Sequence, residues 1–116
     1  MTDRSAIDDF LHGQVDCWNA SDKDGFFAHY KKIAPEGLDI EYVGQPRHDP
    51  WQVLEGMWAQ QNARIRIEVA ACIVNGSEAA CHHRNLMRDG AGGIETIETY
   101  RFSEGKLAVR YFVAHP

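Results

Sequence analysis

The segment "RIRIEVAACIVNGSEAACHHRNLM", residues 64–87, gives the second half of the chain a hydrophobic period of two. Its first apolar residues, Ile65, Ile67 and Val69, alternate with charged ones, which is typical of a β-strand with one buried face. The Asn-Gly dipeptide at 75–76 is a strong signal for a hairpin turn. The segment therefore predicts two long antiparallel strands joined by a tight turn.

The chain continues as strands after this hairpin. Turn-forming residues at 88–93 and a Glu-Gly pair at 104–105 separate two further strands, predicted at about 94–102 and 106–115. The second half of the chain is thus predicted to be an antiparallel meander.

Three helices are predicted before the meander. The first has apolar residues three and four positions apart over about 5–19. The second is predicted to begin at an N-cap Ser21, and the third at Asp49, with Pro50 in its first turn. A short alternating strand over residues 38–43 lies between the second and third helices.

Length and charge limit the classes of function. The 116 residues are enough for one domain, 1–116, and one core. The net charge is -5 with both signs interspersed, which indicates that nucleic acid is not a partner. No segment approaches the ~20 apolar residues of a membrane span, and the first residues lack the pattern of a signal peptide. No membrane partner is expected.

The cysteines predict the redox compartment. Cys17, Cys72 and Cys81 are odd in number and lack C-x-x-C spacing, the usage typical of reduced, buried thiols. We therefore expect a cytoplasmic protein.

The order of elements predicts an α+β architecture. Helices gathered on one face of an antiparallel meander leave a cavity on the concave side of the sheet. A small-molecule ligand is the partner that such a cavity predicts.

Three stretches of the chain resemble the NTF2-like superfamily, in particular its SnoaL-like and ketosteroid-isomerase-like members. They are "CWNASDKDGFFAHY" (17–30), "LDIEYVGQP" (38–46) and "ETIETYRFSEGKLAVRYFVAHP" (95–116). The resemblance implies a cone in which three N-terminal helices pack on a strongly curved antiparallel sheet. It implies the activity less closely, because this fold hosts isomerases, hydrolases, cyclases and non-catalytic modules.

The resemblance to ketosteroid isomerases also implies positions for catalytic groups. Those enzymes use a carboxylate base on the short strand, a tyrosine on the first helix and a protonated acid on a long strand. Here the three positions hold Tyr42, Gln14 and Glu98. A tyrosine, with an ordinary pKa of ~10, is a poor base near neutral pH, which indicates against steroid isomerisation.

Strand alternation predicts which side chains face the cavity. If Glu98 points inward, so do Thr96 and Tyr100. The Asn-Gly hairpin and the family pattern together predict that the strand at 78–87 also points four side chains inward, namely Ala80, His82, Arg84 and Leu86. His83 then faces outward, and two histidines on opposite faces cannot bind one metal ion.

The predicted site follows from these orientations. His82 and Glu98 are the predicted catalytic residues, and His82 is preferred as acid or base because its ordinary pKa is ~6.5. The predicted substrate-binding residues are Gln14, Trp18, Tyr42, Arg84, Tyr100 and Arg110. No cofactor and no metal are expected. Three structural alternatives stay open, namely an Arg84–Glu98 ion pair, His82 as a satisfied hydrogen-bonding residue, and Trp18 as a core residue.

The sequence as a whole predicts a small-molecule-binding protein with a polar-lined pocket. Proton-transfer chemistry of isomerase, lyase or hydratase type on a small carbonyl-containing substrate is the expected activity. The alternative is a non-catalytic ligand-binding or dimerisation module. A homodimer is expected through the outer face of the sheet, provided that a set of alternating apolar residues faces outward, namely Ile97, Val109, Tyr111 and Val113.

Overall fold

The computed structural model describes residues 2–114, and the predicted strand end at residue 115 lies outside them. The helices are α1 (Arg4–Asn19), α2 (Lys23–Ile33) and α3 (Pro50–Gln61). The strands are β1 (Gly37–Tyr42), β2 (Ile65–Asn75), β3 (Glu78–Met87), β4 (Gly93–Ser103) and β5 (Lys106–Val113). None of the described helices is long and apolar enough to cross a membrane.

The strands form one curved sheet in the order β1-β5-β4-β3-β2. The long strands β2 to β5 are antiparallel, as predicted, but β1 pairs with β5 in parallel, so the sheet is mixed. The α+β architecture with three helices packed on a curved sheet is confirmed.

Aspartates cap all three helices. The side chain of Asp49 accepts a hydrogen bond from the backbone of Gln52, and Pro50 is in the first turn, as predicted. The predicted cap Ser21 is wrong by one residue, because Ser21 has a φ of 56° and belongs to the preceding turn. Asp22 is the cap of α2, accepting from the backbone of Gly25.

The C-terminal end of α1 covers the free edge of β2. Trp18 Nε1 donates to the carbonyl of Ile65 at 2.9 Å. The side chain of Asn19 bonds both the carbonyl and the N–H of Ile67, at 2.8 and 2.7 Å. Because β2 is an edge strand, these bonds satisfy backbone groups that no neighbouring strand reaches.

A β-bulge in β2 changes which side chains face the helices. The pairing of β2 with β3 shifts between Val69 and Ala71, leaving one extra residue, Ala70. Before the bulge Ile65 and Ile67 face inward, and after it Cys72 faces inward. The bulge therefore inverts the alternation halfway along the strand.

The inversion makes the predicted orientation of β3 wrong. Val69 pairs with His83, and the buried side chains of β3 include Cys81 and His83. The residues predicted inside, namely Ala80, His82, Arg84 and Leu86, lie on the outer face. The hairpin also turns one residue later, around 76–77, but that shift moves the register by two and leaves the faces unchanged.

The hairpin also brings two cysteines together. Cys72 lies directly opposite Cys81 on the inward face, and a disulfide joins them. The prediction that all cysteines are reduced thiols is wrong for this pair. The two cysteines meet because of the register between β2 and β3, which the absence of a C-x-x-C motif does not reveal. Cys17 is a free thiol.

Candidate functional site

A cavity of about 260 Å³ lies between the helices and the concave face of the sheet. This is just below the usual ~300–1,000 Å³ of ligand sites, so it suits a small molecule. Its apolar lining residues are Trp18, Phe26, Met57, Ile65, Ile67, Ile94 and Val113. Its polar lining residues are Gln14, Tyr30, Tyr42, Gln61, Asn85, Thr96, Glu98 and Tyr111.

Glu98 on β4 is held by hydroxyl groups from its own strand. The Tyr100 hydroxyl donates to Oε1 at 2.5 Å, and Thr96 Oγ1 donates to Oε2 at 3.0 Å. Asn85 Nδ2 extends the network by donating to Thr96 Oγ1 at 3.1 Å. The alternation predicted for β4 is confirmed, since Thr96, Glu98 and Tyr100 are all buried. Two donated hydrogen bonds fix the position of the Glu98 carboxyl group.

His83 is the neighbour of Glu98 that the sequence interpretation missed. It is 2% exposed, and its Nδ1 lies 2.9 Å from Glu98 Oε2. The contact is not aligned as a hydrogen bond, and Nδ1 is the one buried side-chain nitrogen or oxygen in residues 2–114 without a hydrogen-bond partner. His83 is therefore a buried neighbour of the Glu98 carboxyl group, with an Nδ1 that makes no aligned hydrogen bond.

All of the chain's four tyrosines face the interior near Glu98. They are Tyr30, Tyr42, Tyr100 and Tyr111. The rings of Tyr42 and Tyr111 are stacked, with centroids 4.8 Å apart. Burial, and after it the negative charge of Glu98, raises the pKa of each tyrosine above its ordinary value, to about 12 for Tyr42. The hydroxyls are consequently neutral donors near neutral pH.

These tyrosines predict a loss of stability in alkali. A tyrosine whose pKa is raised by folding stabilises the protein below the unfolded value of ~10, and that contribution is lost as pH rises through the folded value. We expect the urea concentration at the unfolding midpoint to decrease as the pH is raised from about 10 to about 12. Tyrosinate absorbance should appear together with unfolding. Tyr42→Phe should reduce the pH sensitivity. Tyrosinate absorbance near pH 10 with the fold intact would contradict the prediction.

Four of the predicted site residues line the cavity, namely Gln14, Trp18, Tyr42 and Glu98. The predicted Tyr100 is buried behind Glu98 and holds it, without lining the cavity. Of the predicted catalytic pair, only Glu98 lies at the cavity.

Three predicted site residues lie on the outer face of the sheet, namely His82, Arg84 and Arg110. His82 Nε2 lies 2.8 Å from Glu95 Oε1, and Arg84 bonds Glu68 at 2.9 Å. The bulge in β2 accounts for the outward orientation of His82 and Arg84. The predicted positions of His82 and Arg84 in the cavity are therefore wrong, and so is the alternative of an Arg84–Glu98 ion pair.

Arg110 faces outward because it lies between two inward-facing residues of β5. Its Nε donates to Glu41 Oε1 at 3.0 Å on the outer face, while its neighbour Tyr111 is buried. The predicted outer patch is wrong for three of its four residues, since Val109, Tyr111 and Val113 face inward and only Ile97 is exposed on the outer face.

No group of three histidine, cysteine, aspartate or glutamate side chains within residues 2–114 is arranged to hold a metal ion. The candidate site therefore consists of a carboxylate, its hydroxyl donors and a histidine at the base of a mainly apolar cavity.

No protein-family model and no curated protein matches this chain, but solved structures do. An NTF2-like protein of unknown function from Mesorhizobium loti superposes with a TM-score of 0.73 at 19% identity, over 99% of this chain and 97% of the other. A protein from Sinorhizobium meliloti, provisionally named a polyketide cyclase, gives 0.66 at 18% identity, over 91% and 97%. AclR from Streptomyces galilaeus, provisionally named a hydroxylase, gives 0.73 at 13% identity, over 97% and 91%. The predicted NTF2-like resemblance is confirmed for the fold, and this chain has the NTF2-like fold.

Proposed function

We propose that the cavity binds a small, partly apolar, carbonyl-containing molecule and that Glu98 exchanges a proton with it. The chemistry is of isomerase, lyase or hydratase type, as in SnoaL-like and ketosteroid-isomerase-like proteins. The observation that carries the proposal is the position of Glu98, a hydrogen-bonded carboxylate at a mainly apolar cavity.

The surroundings of Glu98 suit proton transfer. A general acid or base must lie within hydrogen-bond reach of the proton that it moves, and Glu98 both lines the cavity and is fixed by Tyr100 and Thr96. His83, rather than His82, is the histidine of the site. It lies beside Oε2 of Glu98 and does not line the cavity.

Two similar structures carry provisional enzyme names, a cyclase and a hydroxylase. At 18% and 13% identity they support an enzyme only in general terms and do not indicate a substrate.

A non-catalytic binding module is the second candidate. Both oxygens of Glu98 accept hydrogen bonds within the protein, which is the pairing expected of a structural carboxylate. In this case the cavity holds a ligand but moves no proton.

Exchange of ketone α-protons with deuterium distinguishes the two candidates. With cyclohexanone as the probe in D₂O, followed by NMR, we expect the protein to accelerate exchange, and Glu98→Gln to remove at least about a hundredfold of that acceleration. The matched control is Glu95→Gln on the outer face of the same strand. Binding of the ketone without faster exchange would contradict the enzymatic proposal and favour the binding module.

The homodimer and the cytoplasmic location also stay proposals. Ile97 and Phe112 are opposite each other on the outer face of β4 and β5, 43% and 37% exposed, and support a paired sheet face. The disulfide between Cys72 and Cys81 removes the argument for the cytoplasm from reduced thiols.

A further inference from the structure

The only formal charge on the cavity wall, among the described residues, is negative. Glu98 is the single carboxylate of the wall, and among residues 2–114 no lysine, arginine or histidine lines it. The arginines of β3 and β5 point away from the cavity, because Arg84 bonds Glu68 and Arg110 bonds Glu41 on the outer face. An anionic ligand has no cation to meet in this cavity.

Aromatic rings make up much of the remaining wall. Five of them line the cavity, namely Trp18, Phe26, Tyr30, Tyr42 and Tyr111. The face of an aromatic ring carries partial negative charge and attracts an organic cation. A ring that presents its face to the ligand favours the same sign of ligand charge as the carboxylate does.

Two amide side chains of the wall, those of Asn85 and Gln14, carry hydrogen-bond acceptors. Asn85 donates through Nδ2 to both the Ile94 carbonyl and Thr96, which leaves its amide oxygen as acceptor. Gln14 on α1 is buried and lines the same cavity, and its side-chain amide also carries an acceptor oxygen. An alkylammonium group has N–H donors and no acceptor, so these oxygens fit it.

We propose that the cavity selects ligands in which a small apolar body carries a protonated amine. The proposal rests on the proposed function and narrows its substrates to cationic compounds, with the ammonium group beside Glu98 and the apolar body among the rings.

Three probes of nearly equal shape test the sign of the preferred charge. Benzylammonium, benzyl alcohol and benzoate are positive, neutral and negative at neutral pH. By NMR titration we expect benzylammonium to bind at least about tenfold more tightly than benzyl alcohol, and benzoate to bind most weakly. In Glu98→Gln the ratio of the first two affinities should fall to about one.

Negative charges elsewhere on an acidic protein also attract cations. The control variant therefore removes one negative charge outside the cavity. Glu95→Gln, on the outer face of the same strand, should keep the full preference for benzylammonium. An equal loss of preference in Glu95→Gln and Glu98→Gln would overturn the proposal.

The remaining outcomes separate the two proposals. Tighter or equal binding of benzyl alcohol or benzoate would overturn the charge selection and leave the proposed function standing. Failure of all three probes to bind at millimolar concentration would overturn the charge selection, and the exchange experiment with cyclohexanone decides the proposed function separately.

Discussion

Replacing Glu98 with leucine is expected to lower the free energy of unfolding by about 3 kcal/mol, because two buried hydroxyls lose their acceptor. Tyr100, 1% exposed, and Thr96, 9% exposed, both donate to this carboxylate. His83 Nδ1 loses the oxygen beside it as well. Each stranded polar group costs about 1–3 kcal/mol, and leucine fills most of the vacated volume.

Glutamine at the same position separates charge from hydrogen bonding. Glu98→Gln keeps one oxygen that can accept from Tyr100, and we expect a loss of about 1 kcal/mol. The control Glu95→Gln lies on the exposed side of the strand and should change stability by no more than about 0.5 kcal/mol. Urea unfolding at neutral pH measures all three variants.

A gain in stability on removing Glu98 would contradict the prediction. It would mean that the carboxylate is held in the cavity at a cost to folding, as functional groups often are. A loss of stability in Glu98→Leu but not in Glu98→Gln would mean that the side chain serves mainly to accept hydrogen bonds from the two hydroxyls. That result would favour the non-catalytic binding module.

Local patterns of the sequence predicted most of the elements. The bounds of β3, residues 78–87, and the Asp49 cap of α3 are as predicted, because strand period, turn residues and cap chemistry are local signals. With Glu98 taken as inward from the family resemblance, the same alternation placed Thr96 and Tyr100 inside, and all three are buried. Where one regular strand was enough to decide an orientation, the prediction was confirmed.

The bulge at Ala70 had no such signal. Residues 70 and 71 are both alanine, which suits either face, so nothing in the side chains marks the extra residue. One unpaired residue moved His82 out of the site and His83 into it. The error therefore lies in the pairing of two strands, a property that a single strand's pattern does not contain.

Long-range pairing was the second limit. The parallel pairing of β1 with β5 joins segments about 70 residues apart and has no local marker. The Cys72–Cys81 bond depends in the same way on register across the hairpin.

Replacing Trp18 with alanine is expected to cost about 3–5 kcal/mol of unfolding free energy, because a buried aromatic ring is lost. Trp18 is 2% exposed, and its ring lies 5.5 Å from that of Phe26 and 5.2 Å from that of Trp58. The alanine variant also lacks the hydrogen bond from the Trp18 indole to the Ile65 carbonyl, which joins α1 to the edge of β2. Trp18→Phe keeps most of the packing and should cost about 1–2 kcal/mol.

Urea unfolding of the two variants decides between the two roles that the sequence leaves open for Trp18. A large loss in alanine and a smaller one in phenylalanine would make Trp18 a core residue that happens to form cavity wall. A loss below about 1 kcal/mol in alanine would contradict this, because a dispensable buried ring is one kept for a ligand. The slope of unfolding against urea should stay constant, since a changed slope means an altered folded or unfolded state rather than a lost contact.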